Sequence, residues 1–309
     1  MLAKLYVSAI AVVAGVGLLS SPYALLLGFI GAGFGLSPTH FNPAQWAKHL
    51  LGVAIVLLGF GVHLPSAMQV TGDALGLMVM SMLATLALAL LLAKVMRMEL
   101  TTAHLIGTGT AICGGSAIAA VGPAIRARSD QMALALAVVF ILNSVALLVF
   151  PLIGRLLDLD QQTFGLWAAI AIHDTSSVVG AAEAFGDEAL QIATTTKLAR
   201  ALWIIPLVLI SAWWYERSAQ QKKSVRVSVP WFIIGFVATA VIASYFNDTS
   251  SIYSSLFELG KRLLVFCLFL IGLSLTLKRV RAAGLKPMLL ALTLWFFIAT
   301  GSLLWLLNL

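Results

Sequence analysis

Charged side chains are scarce in this sequence: they make up 10% of its 309 residues, whereas hydrophobic residues make up 61%. A soluble domain of this length carries roughly a quarter charged residues. No soluble fold could bury this much apolar surface, so most of it must face the acyl chains of a bilayer. The scarcity of charge therefore excludes a soluble domain and predicts an integral membrane protein.

Cysteine is nearly absent as well, because only Cys113 and Cys267 occur and both lie in apolar segments. We therefore expect neither a disulfide framework nor a Cys/His metal cluster. No Gly-x-Ser-x-Gly elbow occurs, and His173, Asp174 and Ser176 are too close in sequence to converge as base, orienting group and nucleophile. The chain is predicted not to be an enzyme, with no catalytic residues, cofactor or metal.

Apolar stretches recur along the whole chain at the length that a membrane helix needs. We predict a single transmembrane domain over residues 1–309, all-α and polytopic, with about eleven transmembrane helices of about 20 residues each. The run after Lys4 is interpreted as a retained first helix rather than a cleaved signal peptide. The candidate spans are 3–20, 22–36, 44–64, 72–93, 101–125, 131–150, 163–185, 190–214, 230–246, 256–277 and 287–307.

The formal net charge of the chain is +7, and the loop charges separate by side when these spans alternate. Arg126 and Arg128 share one side with acidic loops, and the positive-inside rule then predicts a cytoplasmic N-terminus and an external C-terminus. Charge confined to short loops is topological information, so we expect a lipid bilayer and no nucleic acid as partner. The other basic loop residues collect on the opposite side: Lys4, Lys94, Arg97, Arg155, Arg217, Lys222, Lys223, Arg226, Lys278, Arg279, Arg281 and Lys286.

A sequence motif that occurs twice in the chain predicts inverted repeats. The run that begins Lys48-His-Leu-Leu and continues to Gly59 matches the run that begins Lys261-Arg-Leu-Leu and continues to Gly272, with the same spacing throughout. In the alternating topology these two helices run in opposite directions, as an inverted repeat requires. Chance similarity between leucine-rich helices is the alternative.

The segment from Gly107 to Ser116 breaks the pattern of a lipid-facing helix. Its paired glycines and clustered hydroxyls favour local unwinding, which survives at membrane depth only inside protein or beside a water-filled cavity. A half-helix N-terminus there would present partial positive charge to an anion. A close helix-packing surface is the alternative. The candidate solute-binding residues of this first broken helix are Thr110, Cys113, Gly114, Gly115 and Ser116.

A second broken helix is predicted around His173 and Asp174, which follow an apolar run. Ionisable groups at membrane depth are costly and mark pathways or relays by default, so we predict that these two bind or relay the coupling ion. Ala171, Ile172 and Ser176 echo Ala111, Ile112 and Ser116, so we expect the two segments to meet at one cavity. A polar pair that satisfies neighbouring helices is the alternative. The candidate solute-binding residues here are Thr175, Ser176 and Ser177.

Three further polar residues lie in apolar helices. Lys197 and Arg200 are three apart and share a helix face. They either counterbalance Asp174 or attract an anion, or they extend to the membrane interface. Asn143 is predicted to make an interhelical hydrogen bond.

The sequence resembles the bacterial UPF0324 family, also called YeiH-like proteins and labelled sulfate exporters. The match covers most of the chain, in family order. Its most specific part is the Cys-Gly-Gly-Ser run at 113–116. The other matching motifs are Asn42-Pro43, Lys48-His-Leu-Leu, Leu57-Leu-Gly-Phe60, Ala171-Ile-His-Asp-Thr-Ser176, Thr196-Lys-Leu-Ala-Arg200 and Ile271-Gly-Leu-Ser-Leu-Thr-Leu-Lys278.

The resemblance implies a bundle like that of the bile acid and arsenite carriers, with inverted repeats and broken crossing helices. Together with the site residues it predicts a secondary transporter in the bacterial inner membrane. The expected solute is a small anion, such as sulfate or an organosulfonate, coupled to H⁺ or Na⁺. A passive channel or a ligand-binding membrane sensor is the alternative, and assembly into a homo-oligomer stays open.

Overall fold

The chain is all-α in the residues that a computed structural model describes, which are 2–19, 21–36, 42–62, 64–216, 231–246, 250–274 and 284–308. No strand occurs among them, and the prediction of an all-α fold is confirmed. A 3-10 turn, Gly59–Gly61, follows the third helix. The helices are α1 (Leu2–Val16), α2 (Ser21–Gly33), α3 (Pro43–Leu58), α4 (Leu64–Asp73), α5 (Leu75–Val95), α6 (Leu100–Ala111), α7 (Gly115–Ala124), α8 (Ser129–Leu156), α9 (Gln161–Ala171), α10 (Thr175–Phe185), α11 (Asp187–Ala201), α12 (Ile204–Glu216), α13 (Trp231–Tyr245), α14 (Ser250–Ser274) and α15 (Leu285–Leu307).

Several helices have the length and apolar composition of membrane spans. Among the described residues, four apolar runs reach that length: α5, α8, α11 together with α12, and α15. Large apolar side chains such as Phe296 and Leu83 are more than half exposed, as expected for a surface that faces lipid. The basic loops that contain Lys222 and Arg279 lie outside the described residues. The structure is that of an all-α membrane protein.

Helices α6 and α7 fold back on each other as a helical hairpin, here called hairpin 1. The Glu99 carboxylate, just before α6, accepts hydrogen bonds from Gln131 and Arg128, which lie where α8 begins after α7. A methyl group added at Gly109 of α6 would lie 2.8 Å from Ile118 of α7, a contact that a continuous helix cannot make. The pKa of Glu99 is lowered, first by its hydrogen bond from Gln131. Both ends of hairpin 1 therefore lie together.

Helices α9 and α10 form hairpin 2 in the same way. The Gln161 side-chain oxygen at the start of α9 accepts hydrogen bonds from the backbone N–H groups of Glu188 and Ala189, which follow α10. The rings of Phe164 and Phe185 stack with their centroids 3.7 Å apart. The prediction that 101–125 and 163–185 each cross the membrane is therefore corrected. Each segment is interrupted near its middle, but its second half returns alongside the first because the turn reverses the chain.

The long helix α8 separates the two hairpins and sets their opposite directions. It has 28 residues, which span about 42 Å at 1.5 Å per residue and exceed the hydrocarbon core of a bilayer. The open end of hairpin 1 lies at the start of α8. Near the other end of α8, the Arg155 guanidinium donates to the Ala184 carbonyl of hairpin 2. The hairpins therefore enter from opposite ends of the bundle, and their turns lie near its middle.

The helices divide into two packed groups. In one, α14 packs against α1, α2 and α3, and α13 packs against α3. Gly28 and Gly272 let α2 and α14 cross closely, since a methyl group at Gly28 would lie 2.9 Å from the Gly272 Cα atom. The other group contains α4 to α12 and α15, including both hairpins. The main contacts between the groups are those of α10 with α2 and α14.

Candidate functional site

The turn of hairpin 1, residues 112–114 and here called tip 1, is built around one glycine. Helix α6 ends when the Gly114 N–H donates to the Gly109 carbonyl at 2.8 Å. Gly114 then adopts φ +63° and ψ −121°, a left-handed conformation that residues other than glycine rarely adopt. This conformation reverses the chain and starts α7, whose first N–H groups point back toward the turn.

The turn of hairpin 2, residues 172–174 and here called tip 2, ends in a side-chain helix cap. The Asp174 carboxylate accepts a hydrogen bond from the Ser176 backbone N–H at 3.1 Å and a second from the Ser176 hydroxyl. An aspartate at this position satisfies free N–H groups of the helix and suits the partial positive charge at its N-terminus. The carboxylate thus holds α10 in position.

The two tips touch through their backbones. A methyl group added at Gly114 would lie 3.3 Å from both the Asp174 Cα atom and the His173 carbonyl oxygen. The expected contact between the two segments agrees with this geometry, and the cavity expected at their meeting point stays a prediction. Helices α7 and α10 begin directly after the two tips. The N-termini of both helices therefore lie at this meeting point.

Asn143, near the middle of α8, holds tip 2. Its side-chain oxygen accepts hydrogen bonds from the backbone N–H groups of His173 at 2.9 Å and Asp174 at 3.2 Å. These N–H groups have left the helix and need an acceptor, because an unpaired buried N–H is costly. Sequence reasoning predicted only a generic helix–helix bond for Asn143, although a lone amide in a long apolar helix was the available signal.

Lys197 and Arg200 of α11 bind the C-terminal carbonyls of α9. The Lys197 Nζ donates to the Ile172 oxygen at 2.7 Å and to the Ala169 oxygen at 3.2 Å. The Arg200 Nη1 donates to the Ile170 oxygen at 2.6 Å. Both side chains are fully buried, so the alternative that they extend to the membrane interface does not hold. Cations here complement the negative end of the α9 dipole.

Several buried polar atoms around the tips have no hydrogen-bond partner within the described part of the chain. Such atoms are rare in proteins and indicate a place for water, an ion or a ligand. Three of the five Arg200 N–H donors belong to this set, because Nε and Nη2 are both unpaired. The set consists of the Thr108, Thr110 and Thr194 hydroxyls, the Asn143 Nδ2, both His173 ring nitrogens, and Arg200 Nε and Nη2.

The other predicted residues of hairpin 1 have different surroundings. Cys113 is buried, and Lys197, Arg200 and Asp174 are its electrostatic neighbours. Gly115 packs against α8 instead of meeting tip 2, since a methyl group there would lie 2.9 Å from the Phe140 ring. Ser116 is exposed.

In hairpin 2, Thr175, Ser176 and Ser177 are all buried in the first turn of α10. Among the residues described, no group of three His, Cys, Asp or Glu side chains could hold a metal ion.

Comparison with known proteins gives a consistent result over nearly the whole chain. Residues 1–291 match the family described as conserved hypothetical protein 698. A UPF0324 membrane protein of Vibrio parahaemolyticus is 53% identical over 93% of this chain and 93% of its own length. One from Shewanella oneidensis is 50% identical over 92% and 89%, and one from Bacteroides thetaiotaomicron is 41% identical over 91% and 84%. No solved structure gives a significant match.

Proposed function

The chain belongs to the UPF0324 family of membrane proteins, and we propose that it is an ion-coupled secondary transporter of a small anionic solute. Sulfate and organosulfonates are the candidate solutes. The observation that carries the proposal is the contact between the two tips beside the buried cations Lys197 and Arg200. Interrupted helices that meet at mid-depth are where secondary transporters bind solutes and coupling ions.

The charges around the tips favour an anion. Two cationic side chains, Lys197 and Arg200, lie beside one carboxylate, Asp174, so the formal sum is +1. The N-termini of α7 and α10 add partial positive charge, and the unpaired Arg200 donors suit oxyanion geometry. A monoanion would neutralise this set, and a dianion such as sulfate would need one further proton, for which the unpaired His173 ring is an acceptor.

The contact between the tips favours a carrier over a passive channel. A channel needs a continuous opening, whereas here the backbone of Gly114 touches that of Asp174. In a carrier, the two groups of helices would move relative to each other and open the site to each side in turn. The small residues of α10, such as Gly180 against Leu268 of α14, provide a smooth contact between the groups.

The helix ends also support inverted repeats. Helices α6 and α9 end at Ala111 and Ala171, and α7 and α10 begin at Gly115 and Thr175, so both interruptions have the same length. We propose that the hairpins are repeat-related and enter from opposite sides of the membrane. The proposed crossings are then α1, α2, α3, α5, α8, α11 with α12, α13, α14 and α15.

This topology sorts the loop charges better than eleven alternating spans do. Arg126 and Arg128 join Lys94 and Arg97 on the proposed cytoplasmic side, and Arg155 moves to the outside. A hydrogen bond from Lys286, at the start of α15, to the Met96 carbonyl, just after α5, joins two helix ends of the cytoplasmic set. The positive-inside rule again gives a cytoplasmic N-terminus and an external C-terminus in the bacterial inner membrane.

Cysteine labelling tests this topology. In a Cys113→Ala, Cys267→Ala background, an impermeant maleimide added to spheroplasts is expected to label Asp158→Cys and Glu188→Cys but not Arg97→Cys or Arg126→Cys. Inside-out vesicles should give the reverse pattern, because each hairpin returns to the side from which it entered. Labelling of Arg126→Cys but not Asp158→Cys in spheroplasts would support the eleven-span alternation instead.

Transport in proteoliposomes tests the function. Purified protein is expected to accumulate radiolabelled sulfate or an anionic sulfonate above equilibrium when a pH gradient is imposed, and to lose accumulation when a protonophore collapses it. Asp174→Asn should remove the pH dependence, whereas Asp130→Asn at the exposed start of α8 should retain it. A passive channel would only equilibrate the solute across the membrane. Absence of movement for a panel of inorganic, sulfonate and carboxylate anions would refute the proposal.

A further inference from the structure

The Lys197 ammonium lies where a metal cation could bind. It contacts the Ile172 and Ala169 carbonyl oxygens at the C-terminal end of α9, next to the unwound backbone of tip 2. In transporters with interrupted helices, unwound carbonyls and half-helix C-termini are the ligands that coordinate the coupling Na⁺. Here a side chain of the protein itself takes these ligands.

The surroundings of Lys197 favour a cation that belongs to a side chain over a free ion. Lys197 is fully buried, and the Ile172 and Ala169 carbonyls supply the contacts of its ammonium group. Arg200 continues the pattern by binding the Ile170 carbonyl one position away. The free carbonyls at the end of α9 are therefore shared between two tethered cations.

We propose that Lys197 is a built-in replacement for a coupling Na⁺ at tip 2, so that transport requires no sodium and the proton is the coupling ion. The inference rests on the proposed function only where it calls the ion a coupling ion. Whether Lys197 occupies a cation position can be tested without measuring transport. Shortening the Lys197 side chain should create an alkali cation site between the Ala169 and Ile172 carbonyls.

Other charged and titratable groups face Lys197 from each neighbouring element, and their protonation depends on one another. Arg200 lies on α11 itself, His173 and Asp174 face it from tip 2, and Cys113 faces it from tip 1. In this proposal Lys197 carries its proton and already occupies the position between the Ile172 and Ala169 carbonyls, so a bound Na⁺ would add a third cation beside Lys197 and Arg200. Lys197 and Na⁺ are therefore mutually exclusive.

Thermal unfolding in detergent tests the inference, with NaCl compared with choline chloride at equal ionic strength. The wild type should unfold at the same temperature in both salts. Lys197→Ala should have a lower Tm in choline chloride and gain on the order of 3 °C, saturably, in about 100 mM NaCl. Lys197→Met should show no response to Na⁺, because its thioether side chain fills the space without charge.

Three outcomes would overturn the inference: a saturable Na⁺-specific rise in the Tm of the wild type, an equal Tm of Lys197→Ala in both salts, or failure of Lys197→Ala to fold in either salt. Recovery of Lys197→Ala only in NaCl would be the expected result in its strongest form. These measurements use no anion. A negative result would therefore leave anion transport standing, and a failure of anion uptake would leave the cation site standing.

Discussion

Replacement of Arg200 by glutamine is expected to weaken binding of the anionic solute by roughly 10- to 150-fold. The guanidinium has three unpaired N–H donors on Nε and Nη2 in a fully buried position. A hydrogen bond to a charged group contributes about 1.5–3 kcal/mol, and the net loss of one such bond to the solute corresponds to this range of affinity. Titration calorimetry of the purified protein with sulfate and organosulfonates measures the change directly.

The matched control for Arg200 is Arg155→Gln. It removes the same charge from the end of α8, where Arg155 is exposed and donates to the Ala184 carbonyl away from the tips. The affinity of the Arg155 variant should stay within about twofold of the wild type, since an exposed charge is screened. Arg200→Lys should weaken binding less than Arg200→Gln, because it keeps the charge but loses the planar donor set. Equal affinities for wild type and Arg200→Gln would remove Arg200 from the site.

Replacement of Gly114 by alanine is expected to separate the two tips and reduce transport at least about tenfold. The added methyl group would lie 3.3 Å from the Asp174 Cα atom, and φ +63° with ψ −121° is strained for alanine. Such strain costs on the order of 1–3 kcal/mol, and a displacement of about 1 Å at a binding site is enough to lose its geometry. Uptake in proteoliposomes and Tm in detergent should both fall.

The control for Gly114 is Gly301→Ala in α15. A methyl group there meets no atom within 4 Å and the residue is helical, so uptake should be unchanged and Tm equal or slightly higher, because alanine favours helix. If Gly114→Ala transports the solute as fast as the Gly301 variant, the tip contact is not part of the transport site.

The sequence predicts an interruption after α6 and another after α9, because local chemistry is enough to favour one at each place. Gly114 and Gly115 weaken a helix wherever they occur, and the ionisable pair His173 and Asp174 within an apolar run marks a costly position at membrane depth. The folding back of each half could not be predicted in this way. It depends on contacts between residues far apart in the chain, such as Glu99 with Gln131 and Phe164 with Phe185.

The polar residues around the tips also divide into those whose surroundings the local sequence predicts and those whose surroundings depend on distant contacts. The spacing of Lys197 and Arg200 alone predicts that they share a helix face. It does not predict whether that face lies at the membrane interface or inside the protein, where the carbonyls of Ala169 and Ile170 accept hydrogen bonds from the two side chains. Asn143 carried a weaker signal, because a lone amide in an apolar helix predicts a hydrogen bond without naming the partner. Gly115 belonged to the predicted motif, yet its neighbour is the Phe140 ring of α8.

The amino-acid sequence by itself determined that this protein lies in a membrane and that it is helical. The apolar composition determines these two properties because apolar side chains partition into lipid and a backbone in lipid must satisfy its hydrogen bonds within a helix. Neither effect depends on a contact with a distant residue. Only the tertiary structure decided that each broken segment reverses, that the tips meet at Gly114 and Asp174, and that Lys197 caps α9. Those outcomes depend on which buried donors and acceptors find one another, and packing in three dimensions sets that choice.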